Sequence, residues 1–364
     1  MLRSKQKSPK PKQNSKFKWI NWAIIAVSIV AVMVYIFLVD KPENILRALR
    51  TIRMGWLLLA AGMMVVYWLL ESEVLHIVVK KLYRRQHFYN TFKTSMVGQF
   101  YNCITPFASG GQPMQAYSMV KTGVPLGIAG SSLLVKFIVY QLTLTLYSLV
   151  MLVVFWGFFS SKVSGLIFLS AIGFAINFAV MAGLLCIGFA RRFTQRAANA
   201  IIRFLARLHL IKKPEEKMKA AEAELERFYE GFQLARRNTA AVLQMFVLSA
   251  VQLTVFFLVP YFLCLAFGRE NVSPMQVIAA QAFVSMVTSF VPLPGAAGGA
   301  EISFVTFFAI FMTGSDLNLS MLLWRMLTFY FPILAGGLIS IGCSGGKNAM
   351  QELEQEAIEE TASE

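Results

Sequence analysis

Hydrophobic residues occur along this chain in unbroken blocks of about twenty residues or more, separated by short polar or basic segments. As a helix that rises 1.5 Å per residue, such a block crosses about 30 Å of hydrocarbon. A helix that stays apolar on every face for this length is typical of membrane spans, not of soluble cores. The pattern predicts six spanning helices, at Trp19–Val39, Trp56–Val79, Leu126–Phe159, Gly165–Ala190, Ala240–Phe267 and Leu319–Cys343.

Two further apolar stretches, Thr94–Thr122 and Pro274–Thr313, are interrupted near their middle by proline and glycine. The interruptions read ITPFASGGQP (Ile104–Pro113) and PLPGAAGGAE (Pro292–Glu301). Proline removes a backbone donor and glycine permits tight turns, so both interruptions break a helix. At membrane depth, irregular backbone survives only where it is buried in protein or lines a wet cavity. We therefore predict two re-entrant helical hairpins, the first entering from the cytoplasm and the second from outside.

The two interruptions share the pattern P-x-x-x-G-G, with Pro106 and Pro294 lying 188 positions apart. The same shift moves the second predicted span onto the fifth, and moves Lys136 next to Arg325. A unit of span, span, hairpin and span would then occur twice, in opposite orientations across the membrane. Inverted repeats with broken helices are a recurring architecture of transporters. The predicted fold class is an all-α polytopic membrane protein with about six spanning helices plus two re-entrant hairpins in an inverted repeat.

This reading divides the chain into two membrane repeats with polar ends. The segment between the repeats has aromatic residues and leucine at helical spacing, which indicates an amphipathic helix on the cytoplasmic surface. An ordinary soluble connector is the alternative for that segment. The predicted parts are a basic cytoplasmic tail (1–18), a first repeat (19–159) with its hairpin at 94–122, a second repeat (160–343) with the insert 191–237 and a hairpin at 274–313, and an acidic cytoplasmic tail (344–364).

Composition and charge support a membrane protein. Only 15% of the residues are charged, against about 25% in soluble domains. The net charge of +15 is concentrated beside the predicted spans, as in clusters that set topology and attract anionic lipid headgroups. We therefore expect an anionic membrane surface as a partner and no nucleic acid. The basic clusters place both termini in the cytoplasm, and the first apolar block is expected to remain as a span because no signal-peptide cleavage site follows it.

The chain shows no motif for catalysis, a metal or a nucleotide. Cys103, Cys186, Cys264 and Cys343 occur singly, without the C-x-x-C spacing of a zinc site. No H-E-x-x-H or Walker loop is present. We predict no catalytic residues, no metal and no cofactor.

Charged residues inside predicted membrane segments are functional candidates, because burying a charge there is costly. Lys136 lies about ten residues into its span, near the midplane, whereas Arg325 is expected nearer the outer end of its span. Beyond each glycine pair a new helix would point its N-terminus, a natural anion site, at the centre of the bilayer. The predicted substrate-binding set is Lys136, Arg325, Glu301, Glu71, Gln112, Gln115, Asn102 and Thr105.

The alternative is structural pairing, which only keeps the bundle neutral. Lys136 would then pair with Glu71 or Glu73, and Arg325 with Glu301. Pairing and binding are compatible, since an ion pair can open to admit an anion.

Three motifs carry a family resemblance: N-C-I-T-P-F-A-S-G-G-Q-P-M-Q (Asn102–Gln115), S-S-L-L-V-K (Ser131–Lys136) and P-L-P-G-A-A-G-G-A-E (Pro292–Glu301). They resemble the lysylphosphatidylglycerol synthase transmembrane, or flippase-like, family. In the bacterial lysyltransferase that this family implies, the membrane part moves aminoacylated phosphatidylglycerol to the outer leaflet. That activity confers resistance to cationic antimicrobial peptides. The hairpin residues that match the family pattern are Pro106, Gly110, Gly111, Gln112, Pro294, Gly298, Gly299 and Glu301.

The chain departs from the full-length lysyltransferase because no soluble stretch in it is long enough for a tRNA-dependent transferase domain. Whether it takes part in an enzyme therefore stays open. The leading expectation is a translocase in a bacterial inner membrane for an anionic or aminoacylated phospholipid, such as lysyl-phosphatidylglycerol, or for a polyprenyl-phosphate lipid. The alternatives are a membrane component of phosphatidylglycerol lysyltransferase, working with a separate soluble transferase, and a secondary transporter of a small anion. A homo-oligomer is left open.

Overall fold

The computed structural model of the protein describes residues 52–162, 164–189, 238–289 and 291–343, together with isolated helical positions between 195 and 237. Every regular element in these ranges is helical. The predicted first span, most of the insert 191–237 and both predicted tails lie outside the described residues.

The described chain forms ten α-helices, joined within the two hairpins by short 3₁₀ turns. Proline at the first position of α7 suits a helix start, because its missing N–H would have no intrahelical partner there. The helices are α1 (Met54–Leu82), α2 (Phe88–Ile104), α3 (Gly111–Lys121), α4 (Leu126–Ser160), α5 (Ser164–Phe189), α6 (Thr239–Ala266), α7 (Pro274–Thr288), α8 (Gly299–Phe308), α9 (Gly314–Arg325) and α10 (Phe331–Cys343), with a π-helical turn, Met326–Tyr330, joining α9 to α10.

Among the described residues, four helical segments are long and apolar enough to cross a membrane, so the protein is a multi-pass membrane protein. They are Met54–Leu82, Leu126–Ser160, Thr239–Ala266 and Gly314–Ser340, and each overlaps a predicted span. Helix α5 covers the remaining predicted span in the described residues. The last span begins at Gly314, five residues before the predicted start at Leu319. The total number of spans stays a prediction.

Both interrupted stretches form a helix, a break and a second helix that folds back on the first. Helix α2 packs on α3, and α7 packs on α8. These four helices contain 17, 11, 15 and 10 residues, so none reaches the roughly 20 residues that cross a bilayer. Each interrupted stretch is therefore a helical hairpin in the structure, whereas the re-entrant character of the two hairpins and the side from which each enters the membrane stay predictions.

The turns of the two hairpins, which we call tip 1 (Thr105–Gly110) and tip 2 (Leu293–Gly298), have nearly the same backbone. Phe107 has φ 54° and ψ 21°, and Gly295, its counterpart after the 188-residue shift, has φ 59° and ψ 19°. Ala108 and Ala296 follow at φ 53° in both tips. Left-handed backbone is costly for residues with a side chain, so its recurrence at matching positions supports the 188-residue repeat.

The helices that follow the tips keep the same spacing. Helices α3 and α8 begin at Gly111 and Gly299, and α4 and α9 begin at Leu126 and Gly314, each pair 188 positions apart. The shift predicted from the sequence therefore describes the starts of the helices after each tip, and it places α1 and α2 within three residues of the starts of α6 and α7. The opposite orientation of the two repeats in a membrane stays a prediction.

The halves of the described chain interlock. Helix α1 packs along α6, α2 packs on α10 of the other half, and α7 packs on α4. The approach of α2 to α10 requires glycine, because a side-chain carbon at Gly336 would lie 2.5 Å from the carbonyl oxygen of Met96. Aromatic rings fill the core beside the second hairpin, where the Phe304 ring stacks 4.1 Å from that of Phe308 and 4.8 Å from that of Trp324, measured between ring centroids.

Candidate functional site

An ion pair between α4 and α1 forms the first charge centre (Glu71, Gln99 and Lys136). The ammonium of Lys136 donates to Glu71 Oε1 at 2.7 Å, and the amide of Gln99 on α2 donates to Glu71 Oε2. The side chains of Lys136 and Glu71 are only 11% and 8% exposed. Both carboxylate oxygens are therefore engaged, as a buried charge requires.

Polar side chains continue from the first charge centre towards α6. Tyr67 lies beside Gln99, Gln252 and Tyr140. Gln252 is buried, and its Oε1 has no hydrogen-bond partner among the described residues. A buried amide oxygen without a partner is costly, so this group is suited to accept a hydrogen bond from a water or a ligand.

A second ion pair lies at tip 2 and forms the second charge centre (Gly295, Gly298, Glu301 and Arg325). Arg325 Nε donates to Glu301 Oε1 at 2.6 Å, and Arg325 Nη1 donates to the carbonyl oxygen of Gly295 at 3.0 Å. Glu301 Oε2 accepts from the backbone N–H of Gly298 at 2.7 Å. One carboxylate therefore connects the guanidinium to the start of α8.

Local sequence explains this geometry. Glu301 occupies the first turn of α8. An acidic side chain there can accept from the N-terminal backbone N–H groups and is stabilised by the positive end of the helix dipole. Gly298 has φ 81°, which glycine adopts without strain. The π-helical turn begins directly after Arg325 and places the ring of Phe329 4.9 Å from the guanidinium carbon, at cation–π distance.

The two charge centres are neighbours. The 3₁₀ turns of tip 1 and tip 2 contact each other, and tip 2 also contacts α2. Cys103, buried near the end of α2, lies within electrostatic range of both Arg325 and Glu71. It belongs to an apolar cluster with Phe100, Phe329 and Ile333.

Both cations lie well inside their spans. Lys136 is ten residues from the start of α4, which corresponds to about 15 Å. Arg325 is eleven residues, or about 16 Å, from the start of its 27-residue span and therefore lies nearer that start than its end. That this start faces outside stays a prediction.

The structure favours one of the two pairings considered for Lys136, because the lysine contacts Glu71 and not the half-buried Glu73. Arg325 pairs with Glu301 as the structural alternative anticipates. The N-terminus of α8, predicted as an anion site, holds the carboxylate of Glu301. Whether these residues bind a substrate stays a prediction.

The neutral polar residues predicted around tip 1 take part in the packing of the first hairpin. Thr105 Oγ1 accepts from the N–H of Gly110 at 2.9 Å and donates to the Tyr101 carbonyl at 2.6 Å, which fixes the turn. The Asn102 side chain lies against Gly111, and the buried Gln115 lies against Gly98, so both occupy the seam between α2 and α3. Gln112 is half-buried in the first turn of α3. A direct role of these four in binding stays a prediction.

The tips are exposed, in contrast to the buried ion pairs of the two charge centres. Pro106 through Ser109 and Pro292 through Pro294 are exposed. Open space surrounds Gly298, since a side-chain carbon placed there would meet no atom within 4 Å. The second charge centre therefore borders open space at Gly298.

Sequence reasoning missed Tyr67, Gln99 and Gln252, because it selected charged residues and the polar residues of tip 1 only. The available signal was a glutamine inside an apolar helix, which needs a hydrogen-bonding partner as a charge does. In the part of the chain that the structure describes, no three His, Cys, Asp or Glu residues group as a metal site would require. The chemistry that the arrangement offers is the exchange of one anion for another at a buried cation.

Comparison with known proteins places this geometry in a family. The family model "Lysylphosphatidylglycerol synthase TM region" matches residues 23–336. A UPF0104 membrane protein of the archaeon Archaeoglobus fulgidus is 26% identical over 325 residues, covering 85% of this chain and 93% of the relative. Because the family model spans both hairpins and both charge centres, the chain belongs to the lysylphosphatidylglycerol synthase transmembrane region family.

Proposed function

We propose that the protein is a lipid translocase that moves a phosphate-bearing lipid headgroup between the two leaflets of a cell membrane. The headgroup passes between the two tips and is held by Lys136 and Arg325, while the acyl or prenyl chains stay in the bilayer. Lysyl-phosphatidylglycerol, phosphatidylglycerol and polyprenyl phosphates are the candidate substrates, and all of them carry a phosphate.

The observation that carries this proposal is a pair of buried cations inside spans, one in each half, of which Arg325 is bonded to tip 2, and tip 2 touches tip 1. An isolated cation at this depth is costly, so each is held with a carboxylate. A phosphate can replace a carboxylate as the partner of either cation, provided that the displaced carboxylate is neutralised or moves away. Membership of a family named for lysylphosphatidylglycerol synthase supports a lipid as the substrate.

The surroundings of the tips support a lipid headgroup rather than a fully enclosed solute. Phe107 and Leu293, at the tips, are 61% and 51% exposed, so apolar surface lies at tip 2, to which Arg325 is bonded, and at the touching tip 1. A lipid would keep its chains against such surface while its phosphate reaches the charge centres.

Leaflet exchange in proteoliposomes tests the proposal. The purified protein is reconstituted with a fluorescent analogue of each candidate lipid, and exposure in the outer leaflet is followed by quenching with an impermeant reagent. We expect protein-dependent exchange of at least one phosphate-bearing lipid. The neutralised double variants Lys136→Met with Glu71→Gln, and Arg325→Met with Glu301→Gln, should lose at least tenfold in rate, because each removes a cation without leaving a lone buried carboxylate.

The matched control is the pair Arg269→Ala with Asp316→Ala, which removes an ion pair that is 44% and 32% exposed at the start of α9. It should exchange lipid at the wild-type rate. Absence of exchange for every lipid by folded wild-type protein would refute the translocase. Uptake of a water-soluble anion into the same vesicles would then indicate a small-anion transporter, and lysyl-lipid synthesis only after addition of a soluble transferase would indicate an enzyme component.

A further inference from the structure

The carboxylate of Glu301 accepts hydrogen bonds in the way that a phosphate oxygen pair would. Its two oxygens take one bond from the Arg325 guanidinium and one from the Gly298 N–H at the start of α8. Guanidinium groups and helix N-termini are the two protein groups best suited to bind phosphate. The second charge centre is therefore a built anion site, and its present anion belongs to the protein.

The two charge centres differ in how readily their carboxylates can leave. Glu71 is 8% exposed and is held by two side chains from two other helices, whereas Glu301 is 20% exposed. Open space borders Gly298, at which one Glu301 oxygen is bound. A rotation of the Glu301 side chain away from Arg325 would free its two donors, the Arg325 guanidinium and the Gly298 N–H, at a place that a ligand can reach.

Charge balance limits what can happen when a phosphate arrives. The described charges of the two centres are Lys136 and Arg325 against Glu71 and Glu301, which sum to zero. A phosphate added at Arg325 beside an ionised Glu301 would place two anions on one buried cation, and the low dielectric makes that repulsion strong. Uptake of one proton by Glu301 removes the conflict, because the neutral carboxyl no longer competes for the guanidinium.

We infer that Glu301 is an internal placeholder for the substrate phosphate, and that phosphate binding at Arg325 and the Gly298 N–H is coupled to uptake of one proton by Glu301. This inference rests on the proposed function for the identity of the anion as a lipid headgroup. It assigns the phosphate to the second charge centre, leaves the Lys136–Glu71 pair closed during that first step, and makes anion binding weaker as the pH rises.

Few other groups can titrate at this place. Besides Arg325 on α9, Tyr330 in the π-helical turn is an ionisable group in electrostatic contact with Glu301. Helix α7 and tip 2, which pack against the start of α8, carry no ionisable side chain. Across the site, Cys103 on α2 faces Arg325.

Calorimetric binding of dihexanoyl-phosphatidylglycerol to the detergent-purified full chain tests the inference. This probe is a phosphodiester that carries a single negative charge at every pH tested, so its own ionisation does not contribute to the pH dependence of binding. For wild-type protein, affinity should fall by up to about tenfold per pH unit once Glu301 is ionised in the free protein. Heats measured in two buffers with different ionisation enthalpies should show proton uptake approaching one per bound probe.

The variant Glu301→Gln should bind the probe with an affinity that does not change with pH and without proton uptake. Glu73→Gln, a matched change at a carboxyl on α1 that contacts neither cation, should keep the wild-type slope. Arg325→Lys should weaken binding at every pH, because an ammonium cannot reproduce the fork of the guanidinium.

Wild-type binding that is independent of pH and takes up no proton would overturn the inference, and this measurement does not depend on any variant folding. A Glu301→Gln protein that is folded, by its thermal unfolding, but retains the pH slope would also overturn it. Proton-linked binding without leaflet exchange of any lipid would support the role of Glu301 as a placeholder but refute the translocase. Leaflet exchange with pH-independent binding would support the translocase but refute the placeholder role.

Discussion

At the residue scale, the Lys136–Glu71 pair shows how the protein places a charge inside its span. The cost of taking two ions out of water is offset by their contact at 2.7 Å and by the hydrogen bond from Gln99. Removing one partner leaves the other charged and buried, which costs far more than removing both. The pair is therefore evidence for a function and only weak evidence for stability.

This asymmetry predicts the stability of three variants. Lys136→Met alone should lower the free energy of unfolding by about 3–5 kcal/mol, since it leaves a buried, unpaired carboxylate. Adding Glu71→Gln should recover most of that loss, because the amide carbonyl still accepts from Gln99 and no charge remains. Thermal or denaturant unfolding in detergent measures both effects. A double variant no more stable than Lys136→Met would mean that water already reaches the pair.

The sequence was sufficient to select the charged residues and to pair Arg325 with Glu301, but not to choose between Glu71 and Glu73 as the partner of Lys136. Glu71 and Glu73 lie on the same predicted span, and only the packing of α1 against α2 and α4 separates them. Gln99 carries no charge, so a search for charges passes over it. The roles of Asn102 and Gln115 also depend on the close packing of α2 on α3, which no local pattern reveals.

At the scale of elements, the breaks in both hairpins follow from proline and glycine residues that are visible in the sequence. The shared P-x-x-x-G-G pattern predicted both breaks, and the matching backbone of Phe107 and Gly295 agrees with it. The left-handed conformation of Phe107 was beyond sequence reasoning, because a bulky residue is a poor candidate for positive φ. The last span starts at Gly314, so the predicted start at Leu319 is wrong. Gly314, Ser315 and Asp316 are residues typical of loops, yet they form the first turn of α9.

If the two hairpins enter the membrane from opposite faces, as the sequence predicts, their tips should be accessible from opposite sides. In a protein whose four cysteines are replaced, Ser109→Cys should react with a polar, impermeant maleimide applied from the cytoplasmic side. Ala297→Cys should react from the opposite side. Both native residues are exposed, so burial by protein does not block the reagent. Labelling in oriented vesicles measures the rates.

A cysteine at Leu338 provides the reference for this experiment. Leu338 is 70% exposed on an apolar span, so its reaction with a polar reagent should be slow. If the tip positions react as slowly as this reference from both sides, the tips face lipid and the hairpins do not line a wet cavity. Reaction of both tips from one side would show that the hairpins do not enter from opposite faces.

At the scale of the whole molecule, the two halves are interlocked rather than side by side. Each hairpin packs against the last span of the other half, through α2 with α10 and α7 with α4. The tips meet as a consequence, and the two charge centres come together although their residues are far apart in sequence. A translocase built in this way can change access to the centres only if these interfaces shift or the tips move on their own.

The seam between α2 and α10 provides the sharpest test of this arrangement. At Gly336 a methyl group would lie 2.5 Å from the Met96 carbonyl oxygen and 3.0 Å from Phe100 Cβ, so backbone must move to admit it. Gly336→Ala should therefore lower the free energy of unfolding by about 1–3 kcal/mol, as other overpacking changes do. Gly157→Ala on α4, where no atom lies within 4 Å, should be neutral or stabilising by up to about 1 kcal/mol.

The same pair of variants connects packing to transport. If the seam stays closed while the tips move, surviving Gly336→Ala protein should exchange lipid at close to the wild-type rate once the loss of folded protein is corrected. If the halves rock against each other along this seam, the methyl group should change the exchange rate several-fold. Equal stability of Gly336→Ala and Gly157→Ala would mean that α2 and α10 do not approach this closely. The interlocked packing, and with it the meeting of the two charge centres, would then have to be abandoned.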